Sequence, residues 1–370
     1  MISPNMNMPP SASFGELVTN YRSASQNKDP MLYPGERPTD SYITDGTSVF
    51  DIKVTACNEG LAFEVDSSAG PVPINSLLEE RGVPLMEDRI PVLAFGANMS
   101  PGSLASKFKK VGRDDAKIIP TIYASLPGHD VVWSGGPGVN GNFIAILYQG
   151  RETQDTSVQV GINFLTREQL LVMHATELAY DLNTVELVID GKPLKAYFYD
   201  GVDSVFLENG SPVAVENIPA VGRTLPATNT REMLKDVLED PDIMTSLLEL
   251  HPDLLDLDVD SYVAYAQKLT QVKGGKLALK KSIHERIKAH GKSKIVDKTH
   301  SRNGAMNWAN PSMLPTYGEQ LTGALHHNIY RLPSQELHDW VDPAARAGVL
   351  GSIAAHLVRL SDGELVHKTD

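Results

Sequence analysis

The feature that most constrains the fold is a short apolar run that stops abruptly at a glycine. Residues 90–95 (Ile-Pro-Val-Leu-Ala-Phe) predict a buried strand, and Gly96 follows it directly. Ser100 and Pro101 come next, and these residue types favour the N-cap and the first position of a helix. The sequence therefore predicts a strand, a tight glycine loop and a helix that reaches about Lys110.

A tight loop that opens a helix has a chemical consequence. The first backbone N–H groups of a helix have no partner within the helix, and the helix dipole adds partial positive charge there. Such a place can bind a carboxylate or a phosphate without a charged side chain. Many α/β proteins have similar junctions for structural reasons, so the junction alone does not define a site.

A second informative stretch lies further along the chain. Alternating apolar residues predict a strand over 158–164, and Thr166 to Gln169 has the capping-box pattern that starts a helix. His174 and Glu177 come near the end of this helix, and two more strands are predicted after it. Glu177 is a candidate general acid or base, with a solvated surface carboxylate as the competing interpretation. A metal pair with His174 would need further carboxylates at matching positions, which the sequence lacks.

The segment from Gly136 to Gly141 fits the G-x-G-x-x-G pattern of dinucleotide-binding proteins. That pattern needs a helix after the glycines, because the pyrophosphate binds at the N-terminus of the helix. Residues 143–148 predict a strand instead, so we expect Gly135–Gly141 to form a loop between two strands and to bind no nucleotide. Asn140 and Asn142 can donate and accept hydrogen bonds, and we treat them as candidate pocket residues.

Over about residues 88–225, the chain resembles the gamma-glutamylcyclotransferase-like family. The family has a strand that ends in a Tyr-Gly-Ser-Asn loop, often followed by Met-Ser-Pro and a helix. The corresponding residues here are Phe95, Gly96, Ala97, Asn98, Met99, Ser100 and Pro101. The family then has a strand and a helix ending in Tyr-Glu-Gly, and Glu177 matches the Glu of that segment.

The resemblance implies an α+β fold in which a small, mixed, β-barrel-like sheet is flanked by helices, with the loop and Glu177 facing one cavity. It also implies a reaction in which the α-amino nitrogen of a γ-glutamyl compound attacks its own γ-carbonyl and releases 5-oxoproline. Glu177 would be the catalytic acid/base, and no metal or other cofactor is needed. The residues implied to bind substrate are Phe95, Gly96, Ala97, Asn98 and Met99.

Some positions depart from the family. Phe95 and Ala97 replace Tyr and Ser, which removes two hydroxyl groups from the loop, and Leu178 replaces the Gly after the Glu. Tyr180 comes too early to match the Tyr that the family often carries next, and it remains a candidate pocket residue. A second hypothesis is therefore a non-catalytic relative that uses the pocket for binding or the fold as a scaffold. An unpaired Glu177 favours the enzyme, whereas a Glu177 in a structural salt bridge favours the alternative.

The rest of the chain divides by composition. Residues 1–40 are rich in Pro, Ser and Asn and predict a mobile N-terminal arm or a surface wrap. Residues 41–87 predict a hairpin and a short helix. Residues 226–370 predict a mainly helical C-terminal extension that covers the site, forms a small domain or builds an oligomer interface. The predicted helices of this extension cover about 230–239, 242–250, 260–270, 276–290 and 343–360.

Charge and composition limit the partners. The net charge of −13 disfavours general nucleic-acid binding, because a polyanion is repelled by such a field. No window approaches the ~18 consecutive apolar residues of a membrane span. Cys57 is the only cysteine, which excludes an internal disulfide, and no secretory signal pattern is evident. We therefore expect a cytoplasmic protein, and the resemblance implies that its partner is a small molecule.

One segment is strongly basic. Ten Lys or Arg residues lie between Lys273 and Arg302, opposed by only two acidic residues. This segment is either an anion-binding or RNA-binding patch, or a solvated helix face that docks on the acidic surface of the same chain. The second interpretation is favoured, because no aromatic residues alternate with the lysines and Ile283 and Ile287 form an apolar stripe.

Overall fold

The computed structural model describes residues 15–322 with short gaps. The gaps are 25–28, 59, 68–69, 110, 112, 114, 139–141, 175, 178–179, 202–203, 242–244, 246–247, 250–257, 269–274 and 296–313. Asn140, Leu178, most of the predicted helix over 242–250 and the whole of the predicted helix over 343–360 therefore lie outside the described residues.

Within the described ranges, the chain forms eighteen strands and seven α-helices. The strands are β1 (Glu16–Leu17), β2 (Tyr42–Thr44), β3 (Ser48–Cys57), β4 (Gly60–Ser67), β5 (Gly70–Pro73), β6 (Ile90–Ala94), β7 (Ile119–Pro127), β8 (Asp130–Pro137), β9 (Phe143–Tyr148), β10 (Ser157–Leu165), β11 (Tyr180–Ile189), β12 (Lys192–Gly201), β13 (Ser204–Glu208), β14 (Ser211–Pro212), β15 (Ala214–Val215), β16 (Ala220–Val221), β17 (Ala227–Thr228) and β18 (Ser293–Ile295). The helices are α1 (Ile74–Glu80), α2 (Pro101–Lys109), α3 (Arg167–His174), α4 (Thr230–Leu238), α5 (Val259–Lys268), α6 (Gly275–Ala289) and α7 (Tyr317–Thr322).

The fold is α+β and contains two mixed sheets. The larger sheet has the order β11-β12-β6-β10-β7-β2-β3-β4-β5, with β1 added to β3 and β16 to β10. The smaller sheet has the order β14-β13-β8-β15-β17, with β9 added to β8 and β18 to β13. The C-terminal extension, which the sequence predicts to be mainly helical, thus also contributes strand β18 to the second sheet. No helix in the described ranges is long and apolar enough to cross a membrane.

The predicted strand, loop and helix are confirmed. Strand β6 is buried along its whole length and lies inside the larger sheet, parallel to β12 and antiparallel to β10. It ends at Ala94, one residue earlier than predicted, and α2 begins at Pro101. Ser100 has the extended backbone of an N-cap, and its carbonyl oxygen accepts a hydrogen bond of 3.0 Å from the N–H of Leu104. Its hydroxyl group is buried and has no hydrogen-bond partner among the described residues.

The capping box before α3 is also confirmed. The N–H of Thr166 donates to Gln169 Oε1 at 2.9 Å, and the N–H of Gln169 donates to Thr166 Oγ1 at 3.2 Å. The side-chain amide nitrogen of Gln169 donates hydrogen bonds to the carbonyl oxygens of Ala116 and Ile118. These contacts attach the start of α3 to the larger sheet and so determine where the residues after α3 lie.

Arg89 is a buried charge at the start of β6. Its side chain is fully buried, and its guanidinium donates to the carbonyl oxygens of Pro84, Ile118 and Phe164 at 3.0 to 3.1 Å. Burial lowers the pKa of Arg89 to about 9. From its position just before β6, the side chain therefore contacts the neighbouring strand β10 at Phe164 and the residue that precedes β7, Ile118, inside the core.

The hydrophobic core extends across the boundaries that composition suggests. Ile43 and Phe63, which precede the core domain predicted from the sequence, share one cluster of buried residues with Phe164 inside it. Leu234 and Ile283, which follow that domain, belong to the same cluster. The described parts of the predicted segments therefore do not have separate cores.

Part of the predicted N-terminal arm lies against this core. Tyr33 packs its ring against Trp133 with a centroid distance of 6.0 Å. The carbonyl oxygen of Tyr33 accepts a hydrogen bond of 2.6 Å from the Thr230 hydroxyl on α4. Residues 29–40 therefore lie on the folded body, as the surface-wrap alternative predicts.

Candidate functional site

Glu177 lies directly beside the glycine loop. The side-chain amide of Asn98 donates a hydrogen bond of 3.1 Å to Glu177 Oε1. Helix α3 ends at His174, so Glu177 stands in the turn after the helix, where its N–H donates to the His174 carbonyl oxygen at 3.1 Å. Two stretches that are distant in the sequence therefore meet at one point, between the end of β6 and the end of α3.

Lys107, which the sequence analysis does not single out, completes this cluster. Its ammonium nitrogen lies 2.7 Å from Glu177 Oε1, 2.8 Å from Asn98 Oδ1 and 3.0 Å from the sulfur of Met173. The side chains of Lys107 and Glu177 are 13% and 14% exposed, so the ion pair lies just below the surface. Nothing in the sequence distinguishes Lys107 from Lys109, which follows it on the same helix and is exposed.

A phenol from the N-terminal segment closes the other side of the loop. The oxygen of Tyr33 accepts a hydrogen bond of 2.7 Å from the N–H of Ala145 on β9. Burial raises the pKa of Tyr33, and the negative charge of Glu177 adds to the rise, while the Ala145 N–H opposes it. Tyr33 therefore brings a hydroxyl group to a loop in which Phe95 and Ala97 carry none.

His174 and Tyr199 form a buried pair beside Glu177. The Tyr199 hydroxyl and His174 Nδ1 are 2.7 Å apart, and the two rings meet edge to face. Burial raises the pKa of Tyr199 well above its usual value, and the charge of Glu177 raises it further. His174 therefore contacts a phenol. Among the described residues, no group of three His, Cys, Asp or Glu side chains is arranged to hold a metal ion.

The five loop residues differ in their access to solvent. Phe95 and Met99 are 7% and 0% exposed, and their side chains pack in the core. Gly96, Ala97 and Asn98 are half-buried. The Asn98 carbonyl oxygen accepts a hydrogen bond of 3.1 Å from Asn163 on β10, which anchors the loop to the sheet. The accessible part of the loop is therefore residues 96–98.

The glycine-rich segment has a packing role. Strand β8 extends to Pro137, so Gly135 and Gly136 belong to the strand rather than to a loop. A Cβ on Gly136 would lie 2.5 Å from Nδ1 of His284, because α6 packs closely over this strand. Asn142 is buried, and its amide donates to the Phe143 carbonyl oxygen at 3.0 Å.

The remaining candidate pocket residue is Tyr180, whose backbone begins β11 and pairs with Gly201 on β12. The structure does not bring Asn142 into hydrogen-bonding contact with Glu177 within the described part of the chain. The residues that do reach Glu177 are Asn98 and Lys107, together with the neighbouring hydroxyl of Thr176 at 3.5 Å.

The basic segment packs on the chain itself. Ile283 and Ile287 of α6 are 2% and 0% exposed, which confirms the predicted apolar stripe. Lys292 forms an ion pair of 2.5 Å with Asp240, which follows α4 closely. These contacts support the interpretation that this segment docks on the acidic surface of the same chain.

Comparisons of the chain with models of protein families, with curated proteins and with solved structures find no match. The fold and the site together define a class in physical terms. It is an α+β protein in which a carboxylate, an amide and an ammonium group meet at a strand–loop–helix junction.

Proposed function

We propose that this chain is a cyclotransferase that releases 5-oxoproline from a γ-glutamyl amine, amino acid or glutamyl-protected metabolite. The observation that carries the proposal is the hydrogen bond of 3.1 Å between Asn98 and Glu177. The resemblance implies that these two residues face one cavity, although they are far apart in the sequence. If the resemblance were accidental, there would be no reason to expect a contact between them.

The chemistry needs little from the protein. The α-amino nitrogen attacks the γ-carbonyl carbon, a ring C–N bond forms, and the original amide C–N bond breaks. Glu177 takes a proton from the attacking nitrogen and returns it to the leaving nitrogen. Because nucleophile and electrophile belong to one molecule, the site contributes mainly by holding the substrate in a reactive conformation.

The loop supplies candidate donors for the developing oxyanion. The N–H groups of Met99 and Ser100 are used within the loop, where they donate to the carbonyl oxygens of Gly96 and Ala97 at 3.0 and 3.1 Å. The N–H groups of residues 96–98 are therefore the candidates for binding the substrate carbonyl. Fixed donors of this kind stabilise charge that develops in the transition state.

A second candidate function is a non-catalytic relative that binds a ligand or serves as a scaffold. The observation that favours it is the ion pair of 2.7 Å between Lys107 and Glu177. An ion pair of this kind is also what a carboxylate with a purely structural role would form, since each charge compensates the other. The two candidates therefore differ in whether Glu177 exchanges a proton with a ligand or only compensates the charge of Lys107.

The test is to incubate the purified protein with a panel of γ-glutamyl amines, γ-glutamyl amino acids and γ-glutamyl peptides and to measure 5-oxoproline by mass spectrometry. Release that requires protein and saturates with one substrate class supports the cyclotransferase. Saturable binding in calorimetry without release supports the binding protein. The absence of both results contradicts the cyclotransferase and leaves the scaffold.

The other parts of the proposal follow from this chemistry. Proton transfer and ring closure require no metal or redox cofactor, so we propose that the partner is one small molecule. A cytoplasmic location belongs to the same proposal, because Cys57 is an exposed free thiol, which suits a reducing compartment.

A further inference from the structure

We propose that Lys107 and Glu177 together recognise the zwitterionic head of an α-amino acid. In this arrangement Lys107 binds the α-carboxylate and Glu177 binds the α-ammonium group. The inference rests on the proposed function for the γ-glutamyl part of the ligand. It adds a specificity residue, Lys107, and a requirement for a free α-carboxylate.

The first support is the charge arrangement. In the described part of the chain, Lys107 is the only cationic group within ion-pairing distance of Glu177. The phenols of Tyr33 and Tyr199 also lie near Glu177, and burial raises the pKa of both, so they stay neutral near pH 7. The cluster therefore presents one positive and one negative charge side by side.

The second support is the match in size. The ammonium nitrogen and the carboxylate carbon of an α-amino acid are attached to the same carbon and lie roughly 2.5 Å apart. The protein charges are 2.7 Å apart in the ion pair between Lys107 and Glu177. A ligand head that lies alongside the pair, with its charges in the opposite order, faces Lys107 with its carboxylate and Glu177 with its ammonium group, so every charge keeps a partner.

The third support is that Lys107 can move without losing all its contacts. It donates to Asn98, to Glu177 and to the sulfur of Met173, and a thioether sulfur is a weak acceptor. The flexible stem of lysine allows its ammonium group to turn toward a ligand carboxylate. Asn98 remains between the two charges, because it donates to Glu177 and accepts from Lys107.

Partial exposure gives the site its selectivity. The two side chains are only 13% and 14% exposed, so an uncompensated charge at this place is costly. A simple amine would pair with Glu177 and leave the charge of Lys107 without an opposite charge. A simple carboxylate would pair with Lys107 and leave the charge of Glu177 without an opposite charge. Only a head that carries both charges satisfies both residues.

The experiment compares γ-L-glutamylethylamide with its α-carboxamide, which lacks the negative charge. Initial rates of ethylamine release, which accompanies ring closure of either compound, and calorimetric binding are measured for the wild type, Lys107→Met and Lys107→Arg. We expect the wild type to prefer the free acid by ~10- to 100-fold, as a charge-assisted hydrogen bond provides. Lys107→Met should lose this preference, because the variant binds the free acid more weakly than the wild type does and binds the amide equally well. Lys107→Arg should retain most of it.

The matched control is Lys109→Met, which removes an exposed lysine from the same helix and should keep the wild-type preference. Thermal melting of each variant shows whether it folds. If Lys107→Met does not fold, the wild type alone still decides, because equal binding of acid and amide overturns the proposal.

The outcomes separate this inference from the proposed function. Release of 5-oxoproline with an unchanged acid preference in Lys107→Met overturns the role of Lys107 and leaves the cyclotransferase. Binding of the free acid that needs Lys107, without release, supports the head-group site and contradicts the cyclotransferase. A wild type that neither binds nor converts γ-L-glutamylethylamide overturns the head-group site, and the wider panel of γ-glutamyl compounds then decides on the cyclotransferase.

Discussion

The phenol oxygen of Tyr33 lies 2.8 Å from the position that a Cβ on Gly96 would occupy. The Cβ of Ala145 lies 3.2 Å from the same position. The φ of Gly96 is −145°, outside the left-handed region that favours glycine, and these two contacts leave no room for a Cβ. Tyr33 and Ala145, from two distant parts of the chain, thus explain why position 96 of the loop is a glycine.

Gly96→Ala should therefore destabilise the protein. A methyl group at this position must push the Tyr33 oxygen away and weaken its hydrogen bond of 2.7 Å with the Ala145 N–H. We expect the free energy of unfolding to fall by about 1–3 kcal/mol, the usual cost of overpacking. Urea denaturation of the wild type and the variant measures it.

The double variant with Tyr33→Phe is the control for this explanation. Removal of the phenol oxygen relieves the close contact at 2.8 Å, so Gly96→Ala should cost less in the Tyr33→Phe background than in the wild type. Equal costs in both backgrounds would show that Tyr33 does not determine the need for glycine.

Arg89→Met should destabilise the core. The substitution removes the donor for the carbonyl oxygens of Pro84, Ile118 and Phe164, and buried acceptors without partners are costly. The substitution also removes a charge that is costly to bury, as the lowering of the pKa of Arg89 to about 9 by burial shows. This gain offsets part of the loss. We expect a net loss of about 3 kcal/mol in the free energy of unfolding.

Chemical denaturation measures this loss, with Arg151→Met as the matched control. Arg151 is an exposed arginine, and its substitution should change stability by less than about 0.5 kcal/mol. An Arg89→Met protein as stable as the control would mean that the guanidinium contributes nothing to the attachment of β6.

The Tyr199→Phe variant tests the dependence of stability on pH. The folded protein holds the phenol proton of Tyr199 more tightly than the unfolded chain, because burial and the charge of Glu177 raise its pKa above 10.0. The unfolded chain loses this proton above about pH 10, so the free energy of unfolding falls as pH rises through this range. Below pH 10 the contribution is fully present.

Tyr199→Phe should lower stability at pH 8 by about 0.5–1.5 kcal/mol, because it removes the contact of 2.7 Å with His174. It should also flatten the decline between pH 10 and 11 by up to about 1.4 kcal/mol per pH unit, the effect of one proton. Urea unfolding at several pH values measures both changes. Parallel curves would show that Tyr199 does not keep its proton in the folded state.

Local signals predicted the framework of the site. Pro101 after Ser100 predicted the start of α2, and the Thr166 to Gln169 pattern predicted the start of α3, because both depend on short-range capping interactions. The glycines at 135 and 136 were predicted to lie in a loop. They lie in β8, where close packing of α6 leaves no room for a side chain, and the local sequence contains no sign of that distant helix.

The partners of Glu177 were harder to predict. Lys107 belongs to a lysine-rich helix end that is typical of exposed surface, and Tyr33 belongs to a segment whose composition resembles a linker. Lys107 acquires its role from its contact with Glu177, and Tyr33 from its contact with Gly96. Both contacts join residues that are far apart in the sequence. Contacts of this kind depend on how the strands are ordered in the sheet, which residue patterns along one segment do not specify.

Glu177→Gln is the most direct test of the mechanism. Glutamine has nearly the same size, and its oxygen can still accept hydrogen bonds from Asn98 and Lys107, so the fold should be kept. Turnover should nevertheless fall by ~10²–10⁴, because an amide does not carry a proton between the two nitrogens. The loss should appear in kcat through the missing acid/base and also in KM, because the amide cannot form the ion pair with the α-ammonium group that we propose for Glu177. Glu186→Gln, an exposed residue on β11, is the control and should leave 5-oxoproline release unchanged. A Glu177→Gln protein with near-normal release would remove Glu177 from the chemistry.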